Sequence, residues 1–344
     1  MKRIVRTLSL LLCGALLLAG CHISTPATVL TVDGTDIPAG IYLWYQMQAY
    51  STASGKVEDS TNVLKGTIDG KSATDWIHTE TLRLCRRYVY IQNECKAQNI
   101  TLTDDELATA KSTVESNFSS YGSYYEKNGI GQASYLEAYL AEQKYSALYT
   151  AYETANADSI TDDDAMAYMD KTYAHVTTVL LPITDTSGAN VSADKLKTIQ
   201  GYANDLADAL KAADADADAL SKEYLQKACD AAGTTFSEDS LSNYETTTFI
   251  TADSTSYPED LVAEMMKAKV GDTGVYLLND KPYVYLKLAN YKDADDFAQY
   301  RDALVNGMLT EKYDAQVDET AAKYEVTEDA SAVKTYSPKK IKIS

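Results

Sequence analysis

The spacing of apolar residues changes twice along this chain, and that order of patterns leaves few folds open. After one small β element, and apart from an irregular stretch over 51–70, the apolar positions up to residue 171 recur every three or four residues, the spacing of one buried face on an α-helix. At Tyr173 the pattern turns β-rich. Residues 177–183 form a run of β-branched and apolar side chains, and residues 271–288 read as a glycine-containing turn flanked by strands. Helical stretches at 193–213, 218–231 and 260–268 and a short strand at 249–251 fall between them. Helical spacing returns over 293–323, with Phe297, Tyr300, Leu304 and Met308 on one face. Neither helical piece closes a core alone, so the two are expected to pack together. The expected architecture is an α+β multidomain chain, a discontinuous helical domain carrying an inserted α+β domain.

Local signals fill in the helical part. Residues 29–38 alternate around Asp33-Gly34, a strand pair on a tight turn, and Pro38 opens a helix to about residue 50. Residues 51–70 read as a long irregular loop, and 74–98 as a strong helix with Ile77, Thr81, Leu84, Tyr88, Ile91 and Cys95 on one face. Thr103-Asp104-Asp105-Glu106 has the form of a capping box, in which hydroxyl and carboxylate satisfy the free N–H groups of a first helical turn. Residues 125–130 stop that helix, 134–154 form the next, and Thr161 caps another. The end, through Ser337-Pro338-Lys339-Lys340, reads as a basic frayed tail.

The first residues carry a different message. Lys2, Arg3 and Arg6 precede an apolar run over 8–18 that is too short to span a bilayer, and small residues lead to Cys21. This is the plan of a cleaved export signal. Leu18-Ala19-Gly20-Cys21 resembles the bacterial lipobox, which implies lipid on Cys21 and tethering to the outer face of the cytoplasmic membrane. Removing the leader takes a net charge of -19 to -22, which excludes nucleic acid as a partner and disfavours anionic headgroups. Cys85 and Cys95, ten residues apart on one helix, lie too far apart to pair. With Cys229 they read as buried apolar residues, and whether any is reactive stays open.

The lipobox, the opening strand–turn, the Tyr125-Glu126-Lys127-Asn128-Gly129-Ile130 helix break and the capped helix at Thr161 together resemble the extracytoplasmic foldases of the SurA/PrsA type. The inserted part resembles the parvulin domain of that family: Val179-Leu180-Leu181 its first strand, residues 218–224 its helix, Val270-Gly271-Asp272 with 283–288 its final hairpin. The resemblance implies a signal peptide over 1–20, a lipidated linker over 21–28 and a SurA N-terminal-like chaperone domain over 29–171. It further implies a parvulin-like domain over 172–292, a helix over 293–326 packed back on the first part, and a flexible tail over 327–344. Parvulins set two histidines on a shared pocket floor. Here those positions fall on Thr178 and Val284, so the resemblance implies weak or no isomerase activity. His175 precedes Thr178 by an odd offset and points to the other face of a regular strand, which leaves it a remote catalytic candidate. His78 and His22 read as bystanders.

The implied function is a membrane-anchored chaperone that receives unfolded or newly secreted polypeptides. An active parvulin-type isomerase and a scaffold binding one envelope partner stand as alternatives, so whether this is an enzyme stays open, as does homodimerisation. The chain holds 27 tyrosines beside four phenylalanines. Tyr42, Trp44, Tyr45, Tyr88, Tyr283 and Tyr285 are candidates for client binding, since a ring with a polar tip suits a groove that accepts many sequences. The plainer alternative has tyrosine replacing phenylalanine in thin helical cores. Asp214-Ala215-Asp216-Ala217-Asp218 imitates a calcium loop but lacks its glycine and bidentate glutamate. Three scattered histidines give no metal cluster, and no cofactor is expected.

Overall fold

The computed structural model describes residues 27–212 and 214–342. The leader, Cys21 and His22 lie outside them. Two compact units emerge, one from residues up to 155 together with 310 onward, the other from 156–309. Both divisions fall inside helices, whereas the sequence boundaries at 171/172 and 292/293 followed the change of pattern.

In the first unit β1 (Thr28–Val32) and β2 (Thr35–Pro38) form a hairpin on Asp33-Gly34, both at positive φ. The helices α1 (Ala39–Ser54), α2 (Ala73–Gln98), α3 (Asp104–Lys127) and α4 (Gln132–Asn156) follow. The capping box forms: Thr103 Oγ1 accepts the Glu106 N–H at 3.2 Å, and Glu106 accepts the Thr103 N–H at 2.7 Å. The 51–70 segment is more ordered than a loop. A 3₁₀ turn over Ser60–Lys65 leads to a second hairpin, β3 (Thr67–Ile68) and β4 (Lys71–Ser72), on Asp69-Gly70. Val63 and Ile68 supply the reason, since they bury against Ala49, Ala53 and Ile77.

In the second unit α5 (Asp162–Thr172) leads into a four-stranded antiparallel sheet of order β6-β5-β8-β7. Its strands are β5 (Ala174–Leu180), β6 (Glu245–Ile250), β7 (Thr273–Leu278) and β8 (Lys281–Leu288). The helices α6 (Ala193–Ala209), α7 (Ala217–Ala232) and α8 (Glu259–Lys267) intervene. Alternation divides the sheet. Val179, Val284, Leu181 and Leu286 pack on α6 and α7, while Ala174, Val176, Ile250 and Tyr285 pack on α8 through Leu261, Val262 and Met265. After α9 (Ala294–Ala298), helix α10 (Arg301–Ala321) crosses into the first unit.

The end of the chain corrects the expectation of a flexible tail. β9 (Val326–Glu328) pairs antiparallel with β1, and α11 (Ala330–Thr335) buries Ala332 in the core beside Val29 and Ile41. Gln46 donates to the Tyr336 carbonyl at 2.7 Å. The edge of β1 left open by β2 is covered by β9, and Val326 and Val333 pack on the core beneath it.

One half-buried acid gives a stability prediction. Glu245 Oε2 is shut off from water with no hydrogen-bond partner, beside Ser221 Oγ in the same condition. Burial pushes its carboxyl above the usual range, and the charge of Asp218 adds to this while Lys222 opposes it. A raised folded-state pKa means the native state holds that proton more tightly, so the native chain loses stability as pH rises through the shifted range. Glu245→Gln is expected to stabilise this unit at pH 7.5 by up to about 1 kcal/mol, after allowance for solvent screening, and to make no difference near pH 4. Urea melts at the two pH values decide it, and a variant weaker at pH 7.5 contradicts the assignment.

Candidate functional site

Two surfaces have the form of a site, one in each unit. The first is the α8 face of the second unit's sheet. Thr178 Oγ1 shares a 2.9 Å hydrogen bond with Tyr257 OH. The register pairs Thr178 with Tyr285 and Tyr285 with Gly274, so these three lie on one face. The Tyr285 ring covers Gly274 so closely that a Cβ there would stand 2.6 Å from it. An open cavity of about 400 Å³ borders the Tyr285 tip, lined also by Lys211, Glu264, Lys267, Asp272 and Thr273. Burial, then Glu264 and Asp272, raises the Tyr285 phenol above its ordinary range. Thr178 is itself buried and its hydroxyl is taken up by Tyr257, so of the Thr178, Tyr257 and Tyr285 hydroxyls the one that borders the cavity is that of Tyr285.

This geometry corrects the alignment of the two histidine positions. Val284 pairs with Val179 and is fully buried toward α6 and α7, on the face away from Thr178. Thr178 and Val284 therefore share no pocket floor, and the residue opposite Thr178 is Tyr285. On a strand a step of one residue reverses the face. His175 stands away from this face. Its ring stacks on Phe249 at 4.3 Å, and Nδ1 lies 3.0 Å from the Ala289 carbonyl. Tyr283 is half-buried against the α8 core.

The second surface belongs to the helical unit. On either side of Met47 run two grooves, of about 450 and 380 Å³. The larger is lined by Leu43, Met47, Gly129, Tyr336 and Ile341, the smaller by Trp44, Tyr50, Tyr124, Tyr125 and Ile341. Trp44 packs on Tyr135 at 4.7 Å and edge-on to Tyr125 at 5.7 Å. Its indole N–H is buried with no acceptor among the described residues. The smaller groove is aromatic, the larger sets Leu43, Met47 and Ile341 among polar and charged residues such as Gln46, Glu126, Lys127 and Asn128, and the unbranched thioether between them suits side chains of varied shape.

The tyrosine candidates divide. Tyr42 is 0% exposed, with its hydroxyl 3.4 Å from His78 Nδ1, so it can touch no client, and Tyr45 and Tyr88 are core residues at 6% each. For these three, tyrosine does replace phenylalanine in the helical core, with hydroxyls led to polar partners such as Glu137 for Tyr88. Of the helical candidates, Trp44 reaches the grooves beside Met47, whereas Tyr45 and Tyr88 line a separate cavity of about 270 Å³ with Leu84, Arg87, Ile91 and Tyr145. Among the lining residues that the sequence reading did not single out as a site are Met47, Tyr50, Tyr124, Tyr125 and Ile341. Tyr50 and Tyr124 carried a signal in the tyrosine pattern, whereas Ile341 carried none. His78 joins Tyr42 to Glu328, with Nε2 3.1 Å from the carboxylate, a structural role. Cys85, Cys95 and Cys229 are all buried, and burial raises each thiol. Among the described residues no group of three or more His, Cys, Asp or Glu could hold a metal, and no helix is long and apolar enough to cross a membrane.

No family profile and no curated protein matches the sequence. Solved structures do. The foldase protein PrsA of Streptococcus pneumoniae matches at 15% identity over 91% of this chain and 99% of its own, with a TM-score of 0.33. PrsA of Lactococcus lactis matches at 15% over 92% and 100%, TM-score 0.29. One of two structurally related SurA-like chaperones of Campylobacter jejuni matches at 11% over 89% and 100%, TM-score 0.28. At these values the likeness transfers neither a site nor an activity.

Proposed function

We propose that this chain is a lipid-anchored, extracytoplasmic holding chaperone whose helical unit binds unfolded polypeptides in the grooves around Met47. The carrying observation is the groove pair itself, open on both sides of Met47, with Trp44, Tyr50, Tyr124 and Tyr125 lining the smaller groove and Leu43, Tyr336 and Ile341 among polar groups in the larger. Such a lining gains binding energy from apolar burial without selecting one sequence. In this reading the insert is parvulin-like in outline and has weak or no isomerase activity. A prolyl bond turns over a barrier of about 20 kcal/mol, and the α8 face offers Thr178, Tyr257 and Tyr285 where an imidazole pair is implied by the family. The lipid on Cys21 keeps the grooves close to emerging chains.

Light scattering of a chemically denatured client is expected to fall at a near-stoichiometric ratio of this protein. A proline-limited refolding step, followed in parallel, is expected to speed up less than about twofold, because no group on the sheet face stabilises the twisted amide strongly. Fast turnover that disappears in Thr178→Val or Tyr285→Phe would favour the isomerase alternative. Anchoring is read by detergent-phase partition of the expressed protein, lost in Cys21→Ala.

A further inference from the structure

In the wall of the larger groove lies a contact that packing alone does not call for. The side-chain amide of Asn128 binds the backbone of a single residue at both ends: Lys342 N–H donates to Asn128 Oδ1 at 2.8 Å, and Asn128 Nδ2 donates to the Lys342 carbonyl at 3.0 Å. The second Nδ2 hydrogen goes to the Tyr124 carbonyl at 3.0 Å, which fixes the plane of the amide. A primary amide carries donor and acceptor side by side, and so does one extended residue. The Lys342 side chain is exposed, so this clamp reads main chain and ignores sequence. The neighbouring residue supplies the other half of a peptide contact. Ile341 is extended (φ -62, ψ 128) and lines both grooves on either side of Met47.

We propose that Asn128 and the flanking grooves form a site for an extended polypeptide with a large apolar residue, and that Ile341-Lys342 occupies it as a built-in, displaceable ligand. This rests on the reading of the helical unit as a client holder and adds where the client's main chain binds and what guards the site. A one-turn 3₁₀ helix over Pro338–Lys340, with Pro338 buried, precedes the guard, and the Asn128 pair holds its last described residue. An occupant joined through the chain competes at a high effective concentration, so it suppresses weak ligands and yields to long or multivalent ones. An unfolded polypeptide offers many extended apolar segments, whereas a stray short peptide offers one.

The test uses the full chain and a fluorescein-labelled, proline-free decapeptide with isoleucine at alternate positions, followed by anisotropy. Ile341→Asp, which expels the guard, is expected to tighten decapeptide binding about tenfold, the factor for a site otherwise free a tenth of the time. Adding Asn128→Ala to that variant is expected to remove the gain. In the unaltered chain the decapeptide is expected to speed tryptic cleavage after Lys340. Unchanged or weaker binding by Ile341→Asp overturns the proposal, as does a gain that survives the loss of Asn128. A melting temperature that falls in Ile341→Asp without a change in peptide affinity shows a purely structural segment and also overturns it. If no variant suppresses client aggregation, the holding function fails while the anisotropy result still decides this site.

Discussion

Met47→Glu is expected to weaken client holding at least about tenfold while leaving the fold in place. Met47 borders both grooves, so a carboxylate there faces any apolar side chain placed on either side. Bringing an unpaired charge against apolar surface costs more than the roughly 1.4 kcal/mol that a tenfold loss represents. The residue is half-buried, with its inner contacts on the Val114, Ile130 and Tyr135 cluster, so the folded chain can turn the new carboxylate outward at a cost of about 1 kcal/mol. Holding is read as the molar ratio that halves client light scattering, and Met47→Leu is expected to retain it. A Met47→Glu chain that holds as well as the original places the client elsewhere.

The largest stability loss is expected from Asn290→Ala. Asn290 is buried where β8 ends and has four partners. Its Oδ1 accepts the His175 N–H at 3.0 Å, and its Nδ2 donates to Asp170 at 3.0 Å and to the Tyr173 and Met169 carbonyls at 3.3 and 3.4 Å. One side chain thus ties the end of α5 to the first residues of β5. Alanine leaves those groups without a partner, at about 1–3 kcal/mol for each one that water cannot reach, so a total near 3 kcal/mol is expected. Both tryptophans, Trp44 and Trp76, lie in the other unit. The urea transition seen by circular dichroism should therefore split, with a component at lower urea, while tryptophan emission keeps its midpoint. Coincident shifts in both signals contradict a loss local to the sheet unit.

What the sequence disclosed depended on whether a signal was local. The capping residues Thr103 and Thr161, the Asp33-Gly34 turn and the helical faces were legible because each is decided within a few residues. The same Asp-Gly signal stands at Asp69-Gly70 and went unread, because a surrounding polar stretch hid two apolar anchors, Val63 and Ile68. The Asn279-Asp280 turn between β7 and β8 carries positive φ at both residues without glycine, so the hairpin's register was not visible. That register is what moved the partner of Thr178 from Val284 to Tyr285. The C-terminal strand was illegible for another reason, since β9 acquires its meaning only from the open edge of β1, about 300 residues earlier.

The candidate site shows the same division. Trp44 was legible as an aromatic at helical spacing, and the buried Tyr42, Tyr45 and Tyr88 looked identical to it by that measure. Burial separates them, and burial depends on which turn of α1 faces α2 and which faces α3. Asn128 read as a helix stop, which it also is, since it follows the last residue of α3. Its second role needs Lys342 beside it, a pairing across more than 200 residues that no local pattern signals.

The claim on which the account turns is that an unfolded chain sits on the helices and not on the sheet. A photo-crosslinking amino acid placed at Met47 in one preparation and at Tyr283 in another, each mixed with the same denatured client, measures this directly. The account predicts a strong client adduct from position 47 and little from 283; an adduct confined to 283 would contradict it.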